Sequence, residues 1–116
     1  MTKPVGPYTP VVRAGEWLVV SGQVALKDGT LIDGDVAAQT AQAVDNLRAL
    51  LDGAGARLDQ VVKTTVFLAH IEDYAAMNEA YVAGFGDHRP ARSAVAVAGL
   101  PLGALVEVEA WAFVGE

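Results

Sequence analysis

The run Leu105-Val106-Glu107-Val108-Glu109-Ala110-Trp111-Ala112-Phe113-Val114 constrains this chain more than any other stretch. Strand alternation sets Leu105, Glu107, Glu109, Trp111 and Phe113 on one face and Val106, Val108, Ala110, Ala112 and Val114 on the other. Apolar side chains stand on both faces, so both need cover. Helices built by the chain can supply one cover, and a neighbouring subunit is the natural source of the other. Charge inside such a strand pairs, faces a cleft or sits at an interface. The preceding apolar run opens with a lone arginine, in Pro90-Ala91-Arg92-Ser93. Chemistry is expected in these two runs.

The rest of the chain reads as one domain, residues 1–116, with no repeat or linker. Val11-Val12-Arg13 and Trp17-Leu18-Val19-Val20-Ser21 predict a hairpin across Ala14-Gly15-Glu16. Trp17 to Val20 is apolar throughout, which predicts burial on both faces. Gly22 closes that strand and predicts a bulge or a close backbone approach. A short strand at Val24 to Leu26 runs into a Lys27-Asp28-Gly29-Thr30 turn. Asp33 or Asp35 is the expected cap of a first helix, whose apolar face is Val36, Thr40, Ala43, Val44, Leu47 and Leu51 and whose stop is Asp52-Gly53-Ala54-Gly55. The β-branched run Val61 to Leu68 predicts a strand, and Glu72 to Phe85 a second helix with Tyr74, Met77, Tyr81 and Phe85 on one face. Ser93 to Val97 predicts a further strand, followed by a turn around Gly99 to Gly103.

Composition excludes several functions. The net charge is −6, with no basic run, which opposes nucleic acid and anionic membranes. The chain has no cysteine, so thiol chemistry and thiolate metal sites are ruled out. His70 and His88 lie at a strand end and in a loop, without metal-ligand spacing, and read as surface histidines. No metal or cofactor is expected. Met1-Thr2-Lys3-Pro4 does not begin a signal peptide, and the longest apolar run, Ala94 to Val106, is broken by Gly99, Pro101 and Gly103. A cytoplasmic protein is expected.

Two uses of Arg92 compete. It can pair with Glu107 or Glu109 across neighbouring strands, or grip a carboxylate with its planar fork of donors. Residue type alone favours the pairing. Glu107 and Glu109 share a strand face, and desolvation there disfavours the charged carboxylate, as suits a general base or acid near neutrality. Interface salt bridges are the plainer use of both, and the preferred one for Glu109. Tyr8, Ser21 and Asn78 are ordinary hydrogen-bonding groups taken singly, and Tyr74, Met77 and Tyr81 read as helix core.

Taken in order, Gly6-Pro7-Tyr8, Ser21-Gly22-Gln23, Asp35-Val36-Ala37-Ala38-Gln39, Asp45-Asn46-Leu47, Val62-Lys63-Thr64-Thr65-Val66-Phe67, Asn78-Glu79-Ala80-Tyr81, Pro90-Ala91-Arg92-Ser93, Leu100-Pro101 and Val106-Glu107-Val108-Glu109-Ala110 resemble the Rid family (YjgF/YER057c/UK114) of reactive-intermediate deaminases. The resemblance runs through almost the whole chain. It implies an α+β subunit with a six-stranded mixed sheet and two helices on one face, a chorismate-mutase-like fold, assembled as a homotrimer with ligand clefts between subunits. It implies hydrolysis of 2-imino acids or their enamines to 2-keto acids and ammonia without a cofactor. Arg92 would hold the substrate carboxylate and Glu107 position the attacking water, with Tyr8, Ser21, Gly22 and Asn78 lining the cleft. Glu109 stays a structural charge. Ala94 replaces a frequent cysteine, Gly99 stands where a basic residue is common, and the Gly86-Asp87-His88-Arg89 loop is short and lacks the usual aromatic before the proline; these departures bear on substrate range. A non-catalytic trimer that binds a small carboxylate is the alternative.

Overall fold

A computed structural model describes residues 6–115; the expectation drawn from Met1 to Pro4 lies outside them. The strands are β1 (Val11–Ala14), β2 (Trp17–Gln23), β3 (Leu26–Lys27), β4 (Thr30–Leu31), β5 (Val61–Leu68), β6 (Ala91–Ala96) and β7 (Val106–Phe113). The helices are α1 (Val36–Gly53) and α2 (Tyr74–Phe85). The main sheet runs β1-β2-β7-β5-β6, with β5 and β6 parallel and the other neighbours antiparallel. The parallel pair follows from α2, which carries the chain back across the sheet between them.

One face of the sheet is closed by the helices. Leu18 and Val20 of β2, Val61, Val66 and Leu68 of β5, and Val106, Val108, Ala110 and Ala112 of β7 are buried against Val36, Ala43, Val44, Leu47 and Leu51 of α1 and Met77, Tyr81 and Phe85 of α2. The helical spacing read from the sequence is therefore the spacing of the core. Asp35 caps α1, its Oδ1 accepting the Ala38 amide at 2.9 Å. The other face is open. Trp17 and Val19 are only half-buried there, and Trp111 is 44% exposed. Burial of β2 on both faces, expected from its apolar run, is thus found on one face of this chain. Trp17 meets Phe113 and Trp111 edge-on, with ring centres 5.1 and 6.2 Å apart.

The main sheet has five strands, not the six expected. Leu26–Lys27 pairs with Thr30–Leu31 in a separate two-stranded ribbon, turning at Asp28 (φ 54°) and Gly29 (φ 82°). Two forces detach it. Val24 and Leu26 build a small core of their own with Ala104, against Leu31 and Leu100. The Asn46 side chain donates from Nδ2 to the carbonyls of Val24 (3.1 Å) and Leu26 (2.9 Å), occupying acceptors that a sheet neighbour would use.

Candidate active site

The predicted site residues fall into two groups on opposite faces of the sheet. The first lies where β2 meets β7 on the open face. Pairing runs in register to Val20 opposite Ala110 and resumes at Gln23 opposite Val108, so Ser21 and Gly22 form a bulge. The bulge brings the Gly22 backbone against Glu107. A β-carbon at Gly22 would stand 2.7 Å from Glu107 Cδ and Oε2 and 2.9 Å from Cγ, closer than atoms can approach. Glycine at this position is a requirement of the carboxylate's location. Ser21 Oγ donates to the Thr9 carbonyl at 2.7 Å, and its amide donates to the Pro10 carbonyl at 2.9 Å. Ser21 thus ties the segment that carries Tyr8 to the same end of β2. Tyr8 itself is 42% exposed.

Burial pushes the Glu107 carboxyl above the ordinary glutamate range, and the charge of Glu109 on the same face adds to the shift. Glu107 has no hydrogen-bond or ion-pair partner in the described residues, so no internal contact offsets that desolvation.

The second group lies on the helix side, at the edge formed by β6. Arg92 pairs in register with Thr64, whose side chain is fully buried under the helices. The register turns Arg92 toward α2. Its Nη2 donates to Tyr74 Oη at 3.1 Å and its Nη1 approaches Met77 Sδ at 3.8 Å. The guanidinium carbon lies 4.8 Å from the Tyr81 ring centre and 5.6 Å from that of Tyr74. Thr64 Oγ1 and Tyr81 Oη share a buried 2.7 Å hydrogen bond, which locks the ring beneath the cation. Burial raises the Tyr81 phenol pKa; the Thr64 hydrogen bond and the charges of Arg92 and Arg89 offset this in part. Asn78, one residue beyond Met77, buries an Oδ1 that has no partner among the described residues.

This arrangement excludes the pairing that residue type alone favoured. Arg92 points to the helices, and Glu107 and Glu109 point to the open face. The ion pairs among the described residues are Arg48–Asp45 and Arg57–Asp59, both at exposed positions. Arg92 is held by neutral acceptors and aromatic faces, which position the charge without neutralising it. Its remaining N–H donors are free for an anion.

Met77 and Tyr81 are core residues, as their helical spacing predicts, whereas Tyr74 is 42% exposed; the contact of all three with Arg92 is not visible in that spacing. The available signal was their shared helix face, but the contact needed the β5–β6 register to become visible. The sequence also marks His88 as a surface residue. His88 is half-buried and its Nε2 bonds the Val61 carbonyl at 2.7 Å, pinning the loop before β6. No three His, Asp or Glu side chains of the described residues cluster to hold a metal ion, and no helix there is long and apolar enough to cross a membrane.

Residues 1–114 match the family model described as Endoribonuclease L-PSP, the YjgF/Rid family. The chain belongs to the Rid family. Among its relatives, a RutC family protein of Pyrococcus horikoshii is 43% identical over 113 residues, covering 96% of this Rid chain and 90% of that protein. The 2-iminobutanoate/2-iminopropanoate deaminase of Escherichia coli K12 is 41% identical over 110 residues, covering 91% and 86%. The crystal structure of E. coli TdcF with bound serine superposes with a TM-score of 0.91 at 33% identity, covering 97% of this chain and 91% of that one. The α+β Rid fold is thereby shared, while the activities named within the family differ: imine deaminase for one relative, endoribonuclease for the family as a whole.

Proposed function

We propose that this Rid-family chain is a cytoplasmic, single-domain homotrimer that hydrolyses reactive 2-imino acids or their enamine tautomers to 2-keto acids and ammonia. The observation that carries the reading is Arg92: a positioned guanidinium with no carboxylate partner among the described residues, in a family with a named imine deaminase 41% identical to this chain.

The chemistry follows from the groups. In the protonated imine the C2 carbon, joined to a carboxylate, is electrophilic. Arg92 holds the carboxylate bidentately and so fixes C2. Glu107 takes a proton from water as the water oxygen bonds to C2. The resulting carbinolamine receives that proton on nitrogen, the C–N bond breaks, and the C2 hydroxyl loses its proton as the carbonyl forms. Imine and water give keto acid and ammonia, with no electrons exchanged. A carboxyl raised above its ordinary range is a stronger base than a free glutamate, which suits proton transfer in both directions.

The opposite-face geometry bears on assembly. A cleft that joins Arg92 to Glu107 takes one from each of two subunits, with Tyr8, Ser21 and Gly22 beside the glutamate and Asn78 beside the arginine. The open aromatic face around Trp17, Trp111 and Phe113 is then covered by the neighbour. That TdcF holds serine, a small amino acid, agrees with a carboxylate ligand. The net charge of −6 weighs against the ribonuclease label.

The test is ammonia release from freshly generated 2-iminopropanoate and 2-iminobutanoate. Wild type is expected to exceed the spontaneous rate, and Arg92→Ala and Glu107→Gln to fall to it. If Arg92→Ala hydrolyses as fast as wild type, the reading is wrong. Unchanged pyruvate binding without turnover in either wild type or Glu107→Gln would mark a non-catalytic carboxylate binder.

A further inference from the structure

We infer that the Tyr74 hydroxyl is a second ligand for the carboxylate that Arg92 holds, and that it sets the preference of the cleft for acids over their esters. The inference rests on the reading of Arg92 as the carboxylate anchor.

Arginine has donors only, so in the 3.1 Å contact Tyr74 Oη accepts from Nη2. The phenol keeps its own proton to give. Its oxygen makes no other hydrogen bond among the described residues, so that proton has no internal acceptor. Accepting from a cation also polarises the O–H bond and strengthens it as a donor.

Position supports the same use. Tyr74 is the first residue of α2 and is 42% exposed, whereas Tyr81, two turns on, is buried and spends its hydroxyl on Thr64. The two tyrosines that flank the guanidinium therefore differ in role. Tyr81 supplies a fixed aromatic floor. Tyr74 reaches the solvent side, where its O–H and the free N–H groups of Arg92 lie one hydrogen bond apart. An anion that docks on the guanidinium meets the phenol proton as well. Phenylalanine at 74 would keep the ring beside the cation and lose only the hydroxyl, so the hydroxyl is separable from packing.

A hydrogen bond to a charged group contributes more than one between neutral partners, and at a half-open position the lower end of that range applies, about tenfold in affinity. The ester of the same acid, with no negative charge, gains far less from either donor.

The experiment is calorimetric titration of the full-length protein with pyruvate and with methyl pyruvate, for wild type, Tyr74→Phe, Arg92→Ala and the double variant. Tyr74→Phe is expected to bind pyruvate about tenfold more weakly, with methyl pyruvate changed by less than about threefold. In the Arg92→Ala background, Tyr74→Phe is expected to add nothing. Wild-type pyruvate affinity in Tyr74→Phe, with binding lost in Arg92→Ala, overturns the Tyr74 assignment and leaves the Arg92 reading standing. Wild-type affinity in Arg92→Ala overturns both. Equal weakening of acid and ester in Tyr74→Phe assigns the residue to packing and overturns the proposed preference.

Discussion

Gly22→Ala separates the placement of Glu107 from the stability of the fold. The new β-carbon would stand 2.7 Å from Glu107 Cδ and Oε2, against an ordinary contact distance of 3.4 Å or more. The shortfall is 0.7 Å, the difference of those two distances. The backbone can absorb little of it, because β2 and β7 are paired on both sides of the bulge. The carboxylate end of Glu107 moves instead, by rotation of a flexible side chain. Gly22 does not occupy the left-handed region, so alanine adopts its conformation. Overpacking at a site that yields costs about 1 kcal/mol, and the stiffer unfolded chain returns part of it. A change of about 4 °C or less in melting temperature is expected. The catalytic consequence is larger, since a displacement approaching 1 Å in a reacting group costs on the order of 10²-fold. The kcat for 2-iminopropanoate, followed by ammonia release, should fall by about ten- to a hundredfold, and the affinity for pyruvate, which the proposed function assigns to Arg92, should change little. Full activity in a normally folded Gly22→Ala protein would refute the role of Glu107. A collapse in melting temperature would show that the bulge, not the carboxylate, carries the constraint.

The raised pKa of Glu107 means that the folded state binds a proton more readily than the unfolded chain, so stability falls as pH rises from the ordinary value of 4.5 through the raised folded value. Glu107→Gln should therefore melt above wild type at neutral pH and lose that advantage at pH 4, while its turnover disappears; Glu109→Gln should move the acidic limb of kcat/KM to lower pH, because it removes a charge that lifts Glu107. Thr64→Val strands the buried Tyr81 hydroxyl and should cost about 2 kcal/mol by denaturant titration, with most of that loss recovered in Thr64→Val/Tyr81→Phe.

Much of the fold is legible in the sequence because its signals are local. Val61–Leu68 is dominated by β-branched and aromatic residues, and its strand matches the reading residue for residue. The face of α1 and the Asp-Gly turn rest on spacing and on left-handed backbone, which a one-dimensional pattern carries well. The ribbon β3–β4 was misplaced because its detachment depends on Asn46, some twenty residues away, and on Leu100 and Ala104, still farther along. The site is legible only in pieces. Gly22 announces a close approach, but not that Glu107 is what approaches. Alternation on β7 places Glu107 and Glu109 together, yet the side that Arg92 faces depends on which residue of β5 it pairs with. Opposing Thr64 puts it with the helices; a shift of one residue would put it with the glutamates. Pairing register is a long-range property, so residue type alone favours the salt bridge, which the observed register excludes. The same register exposes the contacts of Tyr74, Met77 and Tyr81 with the guanidinium.

The measurement that bears most directly on the central claim is complementation between two inactive subunits. Arg92→Ala and Glu107→Gln chains are co-expressed in equal amounts and the whole population, homotrimers included, is assayed for 2-iminopropanoate hydrolysis. In a cyclic trimer each cleft draws its arginine from one subunit and its glutamate from the next. Either draw finds the intact residue half the time, so about one quarter of the clefts are complete and about one quarter of wild-type activity returns. A site drawing both residues from one chain has no complete copy in any mixture. Activity near a quarter of wild type is the predicted result, and mixed assemblies as inactive as their parents would contradict it.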